Sequence, residues 1–216
     1  MKKAFVPGCA LMLYDQELAE KIYRYLRLRF PEIGLSLTCC RNPQTLSPDT
    51  EIISICPGCI HKFESKHGYK STSIYDVILS DPSFPYPDYH GAEVSIQDAC
   101  PTRHHPTVQA AVRQLLENMH LCLIEPPHTR ENTICCGDVY WNSLSREETL
   151  QKMQERGAEM PCEDVVVYCV SCIKALHHGG KTPRYLMDLL FSQPTALSDT
   201  DPLIWHGKLN QFIEEH

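Results

Sequence analysis

Two stretches decide the fold: Ile52-Ile-Ser-Ile-Cys56-Pro-Gly-Cys59 and Val165-Val-Val-Tyr-Cys169-Val-Ser-Cys172. Each is a short apolar run, rich in β-branched residues, that ends in C-x-x-C. Such runs read as strands buried on both faces, as in a parallel sheet. Each C-x-x-C then opens a helical pattern, over 60–67 and over 173–178. Upstream of each lies an adjacent pair, Cys39-Cys40 and Cys135-Cys136, and before each pair a single cysteine, Cys9 and Cys100. The first gaps are alike, with 29 residues between 9 and 39 and 34 between 100 and 135. The second gaps differ, 15 residues against 32. The order single, pair, C-x-x-C occurring twice points to internal duplication.

The surroundings repeat as well. Phe5-Val6-Pro7-Gly8-Cys9 and Val94-Ser-Ile-Gln-Asp-Ala-Cys100 are strand-like runs closed by the cysteine. Leu18, Ile22, Tyr25, Leu26 and Phe30 follow the first at helical spacing, and Val108, Ala111, Val112, Leu115, Leu116 and Met119 follow the second. Residues 34–40 and 121–125 are strand-like again, and each half closes with a short amphipathic piece, 74–79 and 185–191. The second half alone has an extra helical pattern over 145–160, which accounts for its longer gap. A last helix is expected over 202–215.

The expected fold is therefore α/β: two tandem βαβ-type repeats, each with a small parallel sheet, related by approximate two-fold symmetry. The expected boundaries are 1–90, 91–197 and a helical extension 198–216, with the Pro- and Tyr-rich stretch 81–90 between the halves. Every duplicated cysteine then falls at or just past the C-terminal end of a strand, the edge where open α/β sheets bind ligands.

Composition narrows the chemistry. The 216 residues carry a net charge of −7, all of it on residues 92–216, which argues against binding nucleic acid. No run of 18 apolar residues exists, so no membrane span is expected, and Pro7 and Asp15 interrupt the opening apolar stretch before it reaches the length of a secretory signal. The expected location is cytoplasmic. Disulfides do not persist there, so twelve cysteines point to metal binding or redox chemistry.

Five thiols at one sheet edge suit a soft-metal cluster. Zinc takes four ligands and would leave one over. A dithiol enzyme using Cys56 and Cys59 would leave the pairs idle. Cys122, in an apolar strand, reads as a small core residue, and Cys162 as a bystander. His104 and His105, close after Cys100, are candidate proton donors. His177 and His178 read as helix-end residues, and Asp138 as a cap for the segment after Cys136. Lys62 and Lys174, just past the C-x-x-C motifs, either offset cluster charge or are helix-surface lysines.

The pattern Cys…Cys-Cys…Cys-x-x-Cys, with Cys135-Cys136-Gly137 in the second copy, resembles the cysteine-rich CCG domain, which occurs twice in the catalytic subunit of heterodisulfide reductase. The resemblance covers about residues 4–191, with all ten cysteines in order. It implies two noncubane [4Fe–4S] clusters, one on Cys9, Cys39, Cys40, Cys56 and Cys59, the other on Cys100, Cys135, Cys136, Cys169 and Cys172. It implies an oxidoreductase that cleaves a disulfide or related small molecule between the clusters. The first copy departs from the family in reading Cys39-Cys40-Arg41, without the glycine. No ferredoxin-type run of cysteines is present, so a separate electron donor or acceptor is expected, a ferredoxin-type protein or a flavoprotein. Two other readings stand beside this one: a non-catalytic protein that passes electrons from a flavoprotein to a quinone or other carrier, and a metal-binding scaffold or sensor.

Overall fold

The computed structural model describes residues 2–37, 40, 46–197 and 201–215. The chain forms two compact units, 1–81 with 208–216, and 82–207. The division falls at Asp81, so the Pro- and Tyr-rich stretch groups with the second unit rather than separating the two.

The first unit runs β1 (Lys3–Val6), α1 (Cys9–Tyr14), α2 (Gln16–Arg29), β2 (Gly34–Leu35), β3 (Glu51–Ser54), α3 (Pro57–His67), β4 (Lys70–Ser73) and α4 (Ile74–Leu79). Its four strands are all parallel, in the order β2-β1-β3-β4. The second unit repeats this with β5 (Glu93–Gln97), α5 (Pro106–Asn118), β6 (Cys122–Leu123), α6 (Arg146–Ala158), β7 (Asp164–Val167), α7 (Val170–His178), β8 (Thr182–Tyr185) and α8 (Leu186–Leu190). Its strands are parallel too, in the order β6-β5-β7-β8. The expected α/β architecture, with a small parallel sheet in each half, is what the chain adopts. The last helix, α9 (Pro202–Glu215), starts in the second unit, and from Lys208 on its residues group with the first.

The central strands form as their composition dictates. Phe5, Ile52, Ile53, Val165, Val166 and Val167 are fully buried, since helices cover both sheet faces. Ser54 and Ser95 are buried among them; Ser54 donates its hydroxyl hydrogen to the Val6 carbonyl at 3.0 Å and so ties β3 to β1. The helix beyond Cys136 is α6, opened by a capping box in which Ser145 and Glu148 exchange hydrogen bonds.

Two strands lie outside the expected pattern. Lys70–Ser73 is polar and Thr182–Tyr185 contains Pro183, yet each forms the outer strand beside β3 or β7. Edge strands tolerate both features. A correction concerns Cys122, which is exposed rather than in the core. It lies in a two-residue strand at the outer edge of its sheet, where burial is incomplete.

In both sheets the chain winds one way from the first strand to the second, then crosses back over to the third. The strand order therefore reverses between β1 and β3, and between β5 and β7. Crevices at such switch points, beyond the strands' C-terminal ends, are where open α/β sheets take ligands.

Candidate functional site

Cys100 and Cys169 stand shortly past β5 and β7, on either side of the second unit's switch point. Cys172 lies in the first turn of α7, one turn beyond Cys169. Cys135 and Cys136 arrive on the segment between β6 and α6. All five line one open cavity of about 380 Å³, together with Pro101, Asp138, Val139, Trp141 and His206.

The sulfurs interact directly. The Cys172 thiol donates to the Cys136 sulfur at 3.3 Å. Cys135 is held far below the ordinary thiol range by hydrogen bonds from Cys100 and Cys136, assisted by backbone N–H groups of Val139 and Gly137. Its partners move the opposite way. Cys100 is raised by its bond to Cys135 and by burial, and Cys136 is raised by its bond to Cys135. The site is thus built to gather negative charge on sulfur and to share what protons remain.

Gly137 fixes the entry of the pair. Its φ is +104°, and a Cβ there would lie 2.7 Å from the Met153 side chain and 2.8 Å from the Met153 backbone nitrogen. The glycine is needed for packing, because α6 presses on the segment that carries Cys135 and Cys136. Asp138 is not a helix cap. Its carboxylate instead meets the His206 ring at 3.1 Å, and that ring stacks on Trp141 at 4.3 Å between centroids.

The candidate donors His104 and His105 do not line this cavity; His104 is exposed and His105 half-buried. The histidine that does is His206, on α9. Sequence reasoning missed it because α9 lies outside the cysteine pattern. The available signal was the Trp205-His206 pair in an amphipathic helix opened by Pro202.

The first unit places Cys9 and Cys56 past β1 and β3, the two strands at its own switch point. Cys59 hydrogen-bonds Cys40 and Cys56; these bonds and burial raise it well above the ordinary thiol range. Its bond to Cys59 lowers Cys56 to about 7, with the N–H groups of Cys59 and Gly58 and the charge of Lys62 helping. A Cβ on Gly8, whose φ is +84°, would sit 3.4 Å from the Cys59 sulfur, so the residue before Cys9 touches the C-x-x-C directly. Cys39 lies outside the described residues. Of this set the structure describes Cys9, Cys40, Cys56 and Cys59, and of the second it describes all five.

Among the described residues no three His, Cys, Asp or Glu side chains are arranged as ligands of one metal ion. The thiols instead bond to one another. Whether they fit an iron–sulfur cluster turns on donor chemistry and charge. The donors are soft and include one strongly acidic thiol. Beside them lies Lys174, whose buried Nζ has no hydrogen-bond partner among the described residues. A buried cation near three of these thiols, Cys136, Cys169 and Cys172, fits a site whose occupied form is anionic. On these grounds the residues fit the cluster.

Among the described residues no helix is long and apolar enough to cross a membrane. No protein-family model matches the chain, and no curated protein does. Among solved structures it is similar to an aspartate racemase homologue from Pyrococcus horikoshii OT3, over 99% of this chain and 100% of that one, at 14% identity and a TM-score of 0.31. A likeness of that degree carries no argument about function.

Proposed function

We propose that the chain is an iron–sulfur oxidoreductase subunit, of the type that forms the catalytic subunit of heterodisulfide reductase. Each thiol set would hold one noncubane [4Fe–4S] cluster: Cys9, Cys39, Cys40, Cys56 and Cys59 in the first unit, and Cys100, Cys135, Cys136, Cys169 and Cys172 in the second. Such a cluster, when bound, supplies single electrons and sulfur-seeking iron. The substrate would be a small disulfide or a related molecule, and the electrons would come from a separate ferredoxin-type or flavoprotein partner. The cytoplasm, where thiols stay reduced, is the compartment that suits this chemistry.

The observation that carries this reading is the convergence of five thiols on one open cavity at a switch point, in a unit whose strand order the other unit repeats. The chain's own residues have clear parts in it. Pro101, Val139 and Trp141 give the cavity apolar walls that limit water around a bound sulfur compound. Asp138 and Trp141 hold the His206 ring at the cavity, where an imidazole can deliver a proton to a departing thiolate.

Electron paramagnetic resonance of the anaerobically loaded protein, reduced in the presence of a small disulfide such as cystamine, tests the reading. A cluster signal altered by the disulfide supports it. A signal indifferent to every disulfide tried favours the electron-transfer role, and metal without sulfide favours the scaffold.

A further inference from the structure

Lys174 is a cation placed away from water. It follows Cys172 by two positions in α7, is 4% exposed, and donates no hydrogen bond to any described residue. An ammonium has three hydrogens to place. Its near companion is the face of Trp205, whose ring centroid lies 3.6 Å from Nζ. Trp205 is itself buried, on the first turns of α9. A cation–π contact offsets only part of the cost of removing an ammonium from water. Asp138 and the thiols of Cys169, Cys136 and Cys172 lie close enough to act on the Lys174 charge. The charged and titratable groups around this lysine are thus one carboxylate, already engaged by His206, and three members of the thiol set. The first unit has a different arrangement: Lys62 is only half-buried and acts on Cys56.

We propose that Lys174, held in place by Trp205, is the counter-charge of the anionic group on the second thiol set and raises that site's reduction potential. The inference rests on the iron–sulfur reading above. A reduced cluster carries one more negative charge than an oxidised one, so a fixed cation beside it in a weakly screening interior favours reduction. The second site would then be the better electron acceptor of the two, by virtue of a residue that is not a ligand. In the metal-free chain the same lysine is a cost, because its partner charge is missing.

The test uses the full chain and two variants, Lys174→Met and Lys174→Arg. Three quantities are measured: the melting temperature of the iron-free proteins, their iron and sulfide content after loading, and the potential of the second site. The second-site signal is identified as the one lost in Cys169→Ser. Iron-free Lys174→Met should melt above the parent by a few degrees. Loaded Lys174→Met should show a lower second-site potential, or lose that site's iron. Lys174→Arg should match the parent in all three. Loaded Lys174→Met with full iron and the parent potential overturns the inference alone. So does an iron-free Lys174→Met that melts below the parent or fails to fold, since the lysine would then be structural. A parent that takes up no iron and sulfide overturns the functional reading and this inference with it.

Discussion

Tyr168 donates its hydroxyl hydrogen to the Asp98 carboxylate at 2.8 Å. Each residue stands one position past its strand, Asp98 after β5 and Tyr168 after β7. Tyr168 directly precedes Cys169, and Asp98 lies two before Cys100, so one bond sets the distance between two thiol-bearing strand ends. The same carboxylate accepts from Arg113 Nη1 at 3.0 Å and Nη2 at 2.7 Å, from the Thr129 hydroxyl at 2.9 Å and from the Arg130 backbone N–H at 2.7 Å. Burial alone would raise Asp98; the hydrogen bonds and charge of Arg113, with the other donors, outweigh it and hold the carboxyl below its usual range. The first unit fastens its corresponding strands through the Ser54 hydroxyl on the Val6 carbonyl and the pair of Lys3 with Glu51.

Asp98 should therefore matter far more than Tyr168. Asp98→Asn removes the charge that faces a mostly buried guanidinium and should cost about 3–5 kcal/mol, the usual penalty for breaking a buried ion pair. Tyr168→Phe removes the hydroxyl's bonds to Asp98 and Thr102 and should cost about 1–2 kcal/mol. Urea unfolding of the two variants checks this, and equal losses would contradict it.

Gly137→Ala should destabilise the chain by about 1–3 kcal/mol, because the new methyl group meets Met153 in a backbone conformation that alanine avoids. The displaced pair Cys135-Cys136 should cost the protein the iron of its second set. Gly58→Ala is the contrast. A Cβ there meets only the Cys56 sulfur, at an ordinary 3.7 Å, so its stability and iron content should stay near the parent's. Thermal melts and iron analysis of the two variants check the pair.

The acid limb of stability should depend on Glu51. This buried carboxylate pairs with Lys3, accepts from the Thr72 hydroxyl at 2.6 Å and lies 3.5 Å from Lys70. Burial acts to raise it, yet the bonds from Lys3 and Thr72 and the lysine charges leave it below the usual carboxyl value. A group lowered on folding stabilises fully above its unfolded pKa and loses that effect as pH falls through its folded one. The parent should lose stability as pH drops below about 4.5, and Glu51→Gln should flatten that limb while being less stable at neutral pH. Denaturant midpoints measured from pH 7 to 3 check it; parallel curves would contradict it.

Much of this was legible in the sequence because thiol positions and strand ends coincide. The runs before Cys56 and Cys169 are fully buried strands, and in the second unit the single cysteine, the pair and the C-x-x-C follow the first, second and third strands in chain order. The outer strands were not legible. Lys70–Ser73 has no apolar alternation, Pro183 argues against a strand, and such edges are stabilised by pairing with β3 or β7 rather than by their own side chains. Within 34–37 and 121–125 the strands are two residues each, Gly34–Leu35 and Cys122–Leu123, because they pair on one side only. The Asp98–Arg113 network joins residues 15 apart and His206 meets Asp138 across 68, distances at which no local pattern speaks.

Cys122 and Cys162 stand outside both thiol sets. The first is exposed and the second partly so. Cys122→Ser and Cys162→Ser should each change stability by no more than about 0.5 kcal/mol, as surface substitutions do. Both variants should retain the parent's iron. Loss of half the iron in either one would show that the ligand sets are drawn wrongly.

What the ten remaining thiols hold decides the function of the protein. Iron and acid-labile sulfide per chain, measured after anaerobic purification or reconstitution, answer this most directly. Two four-iron clusters predict about eight of each. Zinc at about one or two equivalents, with no sulfide, would rule out iron–sulfur clusters on these thiols.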